Sequence, residues 1–249
     1  MKVVFDQLFY SVYTSDPASA SGRIEAVIES LPADCEFLTP DLATRGQLER
    51  AHTKEHINYV QNEELYEIAA LAAGGAILSA YTGLTEPCFG LIRPPGHHAS
   101  AESAWGFCYF NNIAVALLAL KAEGLIETAF ILDFDLHYGD GTVNILGDSD
   151  WVRIFNPEKN NRSDYLDEVK QALYQKEADI IGISAGFDNH LDDWGGLLAT
   201  EDYLNMGRMV KEAAVQYDGG CFAILEGGYN HNVLGQNVTA LINGLSDEV

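Results

Sequence analysis

Short apolar runs alternate with amphipathic stretches along most of this chain. Val3–Phe5, Cys88–Ile92, Ala129–Leu132, Trp151–Phe155, Ile180–Ser184 and Cys221–Leu225 read as strands. Several are apolar throughout, as strands covered on both faces are. Ser21–Ser30, Glu63–Ala80, Asn111–Glu123, Asp164–Gln175, Thr200–Gln216 and Val233–Asn243 read as helices. Thr200, followed by Asp202 and Tyr203, reads as a helix start whose hydroxyl caps free amides. This alternation predicts an α/β fold: a three-layer α/β/α sandwich with a mainly parallel central sheet. No linker, low-complexity tract or fixed-period repeat divides the chain, so residues 1–249 are expected to form a single domain.

In open parallel sheets, ligands bind outside the carboxyl ends of the strands. Here those ends carry unusual chemistry. His97 and His98 follow the second strand, and DFDLHYGDG follows the third, with Asp133, Asp135, His137 and Asp140. AGFDNH follows the fifth strand and contributes Asp188, and EGGYN follows the sixth and contributes Tyr229. Asp135 and His137 are two residues apart, so in extended backbone they point to one side. With Asp188 they make a set of one imidazole and two carboxylates. Three protein ligands leave a position open, which is the catalytic arrangement of zinc, while oxygen-rich ligation also admits iron(II), cobalt or manganese. Asp133 and Asp140 then remain to accept ring N–H groups from the adjacent histidines and fix their tautomers. Gly227 and Gly228 permit a tight turn that lets the Tyr229 phenol lean over the metal.

Composition narrows the partners. The formal charge of −23 argues against nucleic acid or an anionic membrane and favours a cationic substrate, solubility in a salty habitat being the plainer alternative. The four cysteines show neither C-x-x-C spacing nor disulfide-scaffold density, which suits a reducing cytoplasm. The longest apolar stretch, Ile68 to Ala80, is too short to span a bilayer, and MKVVFDQLFY reads as a first strand rather than a signal peptide. A soluble, cytoplasmic protein is expected.

RPPGHHA, GFCYFNNIAVA, ILDFDLHYGDGT, SAGFDNHLDDWGG and LEGGYN, in that order, resemble the zinc-dependent histone deacetylase and acetylpolyamine amidohydrolase superfamily of the arginase/deacetylase fold. The resemblance runs from about Leu91 to Leu245, with a weaker echo in AHTKEHINYV and at Arg23. It implies one Zn2+ per chain, held by Asp135, His137 and Asp188, with Fe2+ or Co2+ as substitutes. It makes His98 the general base and acid and His97 its electrostatic partner, pairs Asp133 with His97 and Asp140 with His98, and has Tyr229 polarise the amide carbonyl. Phe107 becomes one wall of a substrate channel, with Gly106 and Gly227 as further substrate-binding positions. The family's K+ site, on Asp133 and the backbone carbonyls of Asp135 and His137, also follows by resemblance.

The chain departs from its relatives at the rim. Only NPEKNNRS joins Phe155 to the helix expected near Asp164, where relatives carry a longer glycine-rich loop with a second aromatic wall. Asn156 falls about where a potassium-binding serine is usual. The expected activity is hydrolysis of an acyl-amine, such as an acetylpolyamine or acetyl-lysine side chain, through a metal-activated water. An arginase-like binuclear hydrolase calls for more bridging carboxylates than this chain offers. A catalytically idle module that binds an acylated ligand would not need the complete set of catalytic positions.

Overall fold

In a computed structural model, residues 1–175 and 177–246 are described. Seven strands form one sheet: β1 (Lys2–Val4), β2 (Glu36–Leu38), β3 (Cys88–Gly90), β4 (Ala129–Asp133), β5 (Val152–Phe155), β6 (Ile180–Ala185) and β7 (Gly220–Leu225). Their order is β2-β1-β3-β7-β6-β4-β5, and every pairing is parallel. The expected sandwich is present, with a sheet that is wholly rather than mainly parallel.

Strand alternation divides the apolar core into two layers. On β7, Phe222 and Ile224 face the cluster beneath α4 (Tyr66–Gly83) and α5 (Asn112–Ala122). Cys221, Ala223 and Leu225 face the opposite cluster, which α1 (Arg23–Ser30), α7 (Arg162–Leu173), α8 (Thr200–Gln216) and α9 (His231–Ser246) cover. The long strands of the middle, β4 and β6, are buried along their whole length.

The remaining elements escaped the apolar pattern for identifiable reasons. β2 is a three-residue edge strand whose Glu36 and Phe37 are exposed. Helices α2 (Arg45–Leu48) and α3 (Lys54–Asn62) are largely polar and start from the caps Thr44 and Thr53. Helix α6 (Asp140–Leu146) starts in a glycine-rich run that reads as loop. At α8 the expected cap is corrected. Ala199 occupies the cap position, Thr200 is the first helical residue, and Asp202 accepts the Ala199 N–H at 2.8 Å. The Thr200 hydroxyl instead donates to Asn237 Oδ1 at 2.7 Å, tying α8 to α9.

Candidate active site

The turn after β3 carries both histidines, and a buried carboxylate holds it. Glu226, directly after β7, accepts the Gly96 and His97 N–H groups at 2.6 and 3.2 Å. Burial pushes Glu226 up to about 7. Two buried arginines secure the neighbouring chain. Arg23 donates to the Glu226 and Gly228 carbonyls, and Arg93 ties the same turn to the carbonyls of Phe9 and Ala20.

The two histidines lie with ring centroids 4.0 Å apart and have opposite environments. His97 Nδ1 faces Asp133 Oδ2 at 3.1 Å. Burial opposes a charge on His97, but Asp133 and Asp135 outweigh it and raise the imidazole well above its ordinary value. Asp133 is itself pushed up by burial, against the pull of His97. His98 Nδ1 faces Asp140 Oδ1 at 2.7 Å. Burial, reinforced by the charge of His97, lowers His98 to about 4 in spite of Asp140. The two environments thus pull the histidines apart, His98 towards its neutral form and His97 towards its charged one.

Next to them, His137 Nδ1 lies 3.2 Å from Asp135 Oδ1 and 3.1 Å from Asp188 Oδ2. One ligand atom from each of these three residues falls within 4.8 Å of the others. Ligand atoms around a tetrahedral zinc ion, bound at about 2.0 Å, stand about 3.3 Å apart. The donor set fits such an ion for two further reasons. Asp188 Oδ2 is buried and accepts no well-directed hydrogen bond, despite the nearby His137 nitrogen. Contacts with Asp135 and then Asp188 push His137 up to about 10, and carboxylates that stabilise a positive charge so strongly at this point favour a divalent cation there by the same charge. The other carboxylate oxygens are fixed by backbone. Asp135 Oδ2 accepts the Gly227 N–H at 2.8 Å, and Asp188 Oδ1 accepts that of Leu136 at 3.1 Å. A Cβ at residue 227 would stand 2.5 Å from Asp135 Oδ2, so only glycine lets that backbone approach.

His97, His98, His137, Phe107, Gly106, Gly227 and Tyr229 share the lining of one cavity of about 120 Å3. Gly106 has φ +58°, and a Cβ there would sit 2.3 Å from the His98 ring. Phe107 meets Tyr229 edge to face at 5.9 Å. Asp133 and Asp140 act from behind the histidines. Two tryptophans, not singled out from the sequence, complete the lining. Trp105 stacks on His98 at 3.8 Å and donates from Nε1 to Asp140 Oδ2, and Trp194 stacks on Tyr229 at 4.0 Å. Asp193 accepts the N–H groups of Tyr229 and Asn230, each at 2.8 Å, and so ties the Trp194 loop to the tyrosine. Trp105 directly precedes Gly106, and Glu226 lies between β7 and Gly227, so only their neighbourhood to expected site residues marks them in the sequence.

A second cavity of about 420 Å3 lies beside Asp135 and His137, lined also by Tyr138, Leu197 and residues 156–160 of the segment that leads into α7. The His137 side chain is 40% exposed. Asn156 Oδ1 accepts the Gly139 N–H at 2.9 Å.

The histone deacetylase domain model matches residues 17–165 and 157–245. This chain belongs to the histone deacetylase domain family. Among the relatives of this deacetylase domain, a "Probable deacetylase" of Methanothermobacter thermautotrophicus is 28% identical over 92% of this chain and 85% of its own length. A second "Probable deacetylase", from Archaeoglobus fulgidus, is 30% identical over 84% of this chain and 72% of its own. "Polyamine deacetylase HDAC10" of Danio rerio is 26% identical over 98% of this chain, which spans 47% of that protein. Among solved structures, the HDA15 HD domain superposes with a TM-score of 0.84 at 26% identity, covering 99% of this chain and 91% of the other. No helix among the described residues is long and apolar enough to cross a membrane.

Proposed function

We propose that this chain is a zinc-dependent deacetylase that hydrolyses a small cationic acylated amine in the cytoplasm as a single catalytic domain. The observation that carries the reading is the convergence of Asp135, His137 and Asp188 beside a neutral His98 whose Nδ1 is committed to Asp140. Asp135, His137 and Asp188 would hold the zinc. When bound, zinc supplies a Lewis acid that polarises the acyl carbonyl and lowers the pKa of the attacking water.

The chain's own residues handle the protons. With Nδ1–H donated to Asp140, His98 presents Nε2 as the base that takes the water's proton. The water oxygen bonds to the acyl carbon as negative charge develops on the carbonyl oxygen. Burial pushes the Tyr229 phenol well up, so it keeps its proton and donates it as a hydrogen bond to that oxygen. His97, held cationic by Asp133, contributes positive charge to the same region. When the carbon–nitrogen bond breaks, His98 Nε2–H delivers the proton to the departing amine. The products are acetate and a free amine.

Two features favour a small cationic substrate: the charge of −23 and the small cavity over the histidines. The test is acetate release from acetylputrescine, acetylspermidine and an acetyl-lysine peptide by the zinc-loaded protein, with metal content measured per chain. Release from the small amines at about one zinc per chain is expected. Hydrolysis of the peptide alone, or no hydrolysis at full zinc occupancy, overturns the reading.

A further inference from the structure

Two of the three tryptophans, Trp105 and Trp194, stand at the mouth of the active site. Each has one face committed to a catalytic ring. Trp105 lies on His98 with 30° between the ring planes, and Trp194 on Tyr229 with 24°. Each nevertheless stays more than half exposed, at 55% and 53%. An indole held in place by stacking, with its other surface open, is a preorganised binding face rather than a packing residue. Trp105 is fixed further by its Nε1–H bond to Asp140.

The surroundings select what such a face would bind. Among the described residues, no lysine or arginine lines the cavity at the mouth. Asp140 accepts the Trp105 Nε1–H, Asp193 accepts the Trp194 backbone N–H at 2.9 Å, and Asp192, two residues before Trp194, is 70% exposed. Aromatic faces next to acidic groups attract an ammonium group on an apolar stem, and tryptophan is the strongest such partner. The cavity itself, at about 120 Å3, has room for the acyl-amide end of a substrate and no more, so the rest must emerge between these walls.

We propose that Trp105 and Trp194 form an indole clamp that holds the free ammonium arm of the acylated amine, and that they set the enzyme's preference for cationic over neutral amines. This rests on the deacetylase reading, and the test keeps the two apart.

The zinc-loaded protein is assayed with two substrates of equal length: N-acetyl-1,4-diaminobutane, which carries one ammonium at its far end, and neutral N-acetylpentylamine. In Trp194→Ala the ratio of kcat/KM for the charged over the neutral substrate is expected to fall about tenfold, through KM. Trp194→Phe, which keeps a ring at that position, is expected to recover most of it. Trp105→Ala should lower the same ratio and also reduce kcat on both substrates, because Asp140 and His98 lose a support. A ratio unchanged in Trp194→Ala overturns the clamp while leaving the deacetylase intact. A second readout needs no turnover. In a Trp151→Phe background only Trp105 and Trp194 emit, and free 1,4-diaminobutane should change their fluorescence saturably. If both acetyl substrates are inert but this signal saturates, the deacetylase reading fails and the clamp stands. If the signal is flat, the clamp fails.

Discussion

The floor and the rim of this active site are built on different principles. At the floor, ionisable groups are paired, and all but Asp140 are buried: His97 with Asp133, His98 with Asp140, Asp135 with the Gly227 amide, and Glu226 with two backbone N–H groups. The strand ends that present them belong to the buried middle of the sheet. At the rim, Trp105, Tyr138 and Trp194 are all more than half exposed. They sit on loops, where Trp105 and Trp194 are held by stacking and by bonds to Asp140 and Asp193. A floor of this kind fixes a reaction, because moving any member strands a buried charge. A rim of this kind leaves the choice of substrate open to adjustment.

Asp188→Ala tests the floor most severely. It should lower bound zinc well below one per chain and cost more than the roughly 10–100-fold typical of losing an outer-shell group. Full zinc occupancy in this variant, by metal analysis of the dialysed protein, would mean that the ligands lie elsewhere. His98→Ala should cut kcat by about 10³-fold with the metal retained, within the range of general acid–base catalysis. His97→Ala should leave more activity than His98→Ala, and the opposite order of residual rates would exchange their roles.

The floor's packing can be probed through stability. His52 is buried, and its Nδ1 faces the Ser100 carbonyl while Nε2 accepts the Asn111 N–H. Burial lowers it to about 3 from 6.5. Because the folded value is the depressed one, its contribution is whole above pH 6.5 and is lost progressively as pH falls towards 3. Urea unfolding should therefore show a loss between pH 6.5 and 4, of which His52 accounts for on the order of 3 kcal/mol. His52→Gln, which keeps one donor and one acceptor, should remove that share. An identical acid loss in the variant would assign it to other groups.

Tyr229→Phe joins floor to rim. It removes the oxyanion donor and should lower kcat by about 10²-fold with little change in zinc content. A drop mainly in KM would make the phenol a binding group. The smallest effect belongs to the field around the rim. Raising salt should weaken kcat/KM for acetylated diamines several-fold and leave neutral acetamides nearly unchanged, since exposed charges are screened over about 10 Å at 0.1 M. An equal response from both substrates would remove the long-range attraction and leave only local contacts.

The same division explains what the sequence made readable. Apolar runs located six of the seven strands, and their ends named the floor residues, because a parallel sheet gathers its strand ends on one edge. The short polar helices α2 and α3 and the edge strand β2 bury too little to leave a pattern. Glu226 was passed over because its work is done through backbone amides, which carry no residue signature. Trp105 and Trp194 were passed over because stacking between loops depends on tertiary placement. At Thr200 the local signal pointed to a cap, but the hydroxyl found a better partner in Asn237 across the helix pair.

The Asp193 carboxylate, which takes both the Tyr229 and Asn230 amides, has a consequence for anyone redesigning this enzyme. The loop that carries Trp194 and the backbone that carries the Tyr229 phenol are one mechanical piece. Grafting a foreign specificity loop over residues 191–196 would shift the tyrosine along with the indole. Substrate range in this scaffold is therefore best diversified from the Trp105 side or along the open 156–161 flank, with Asp193 left as the fixed hinge pin of the other wall.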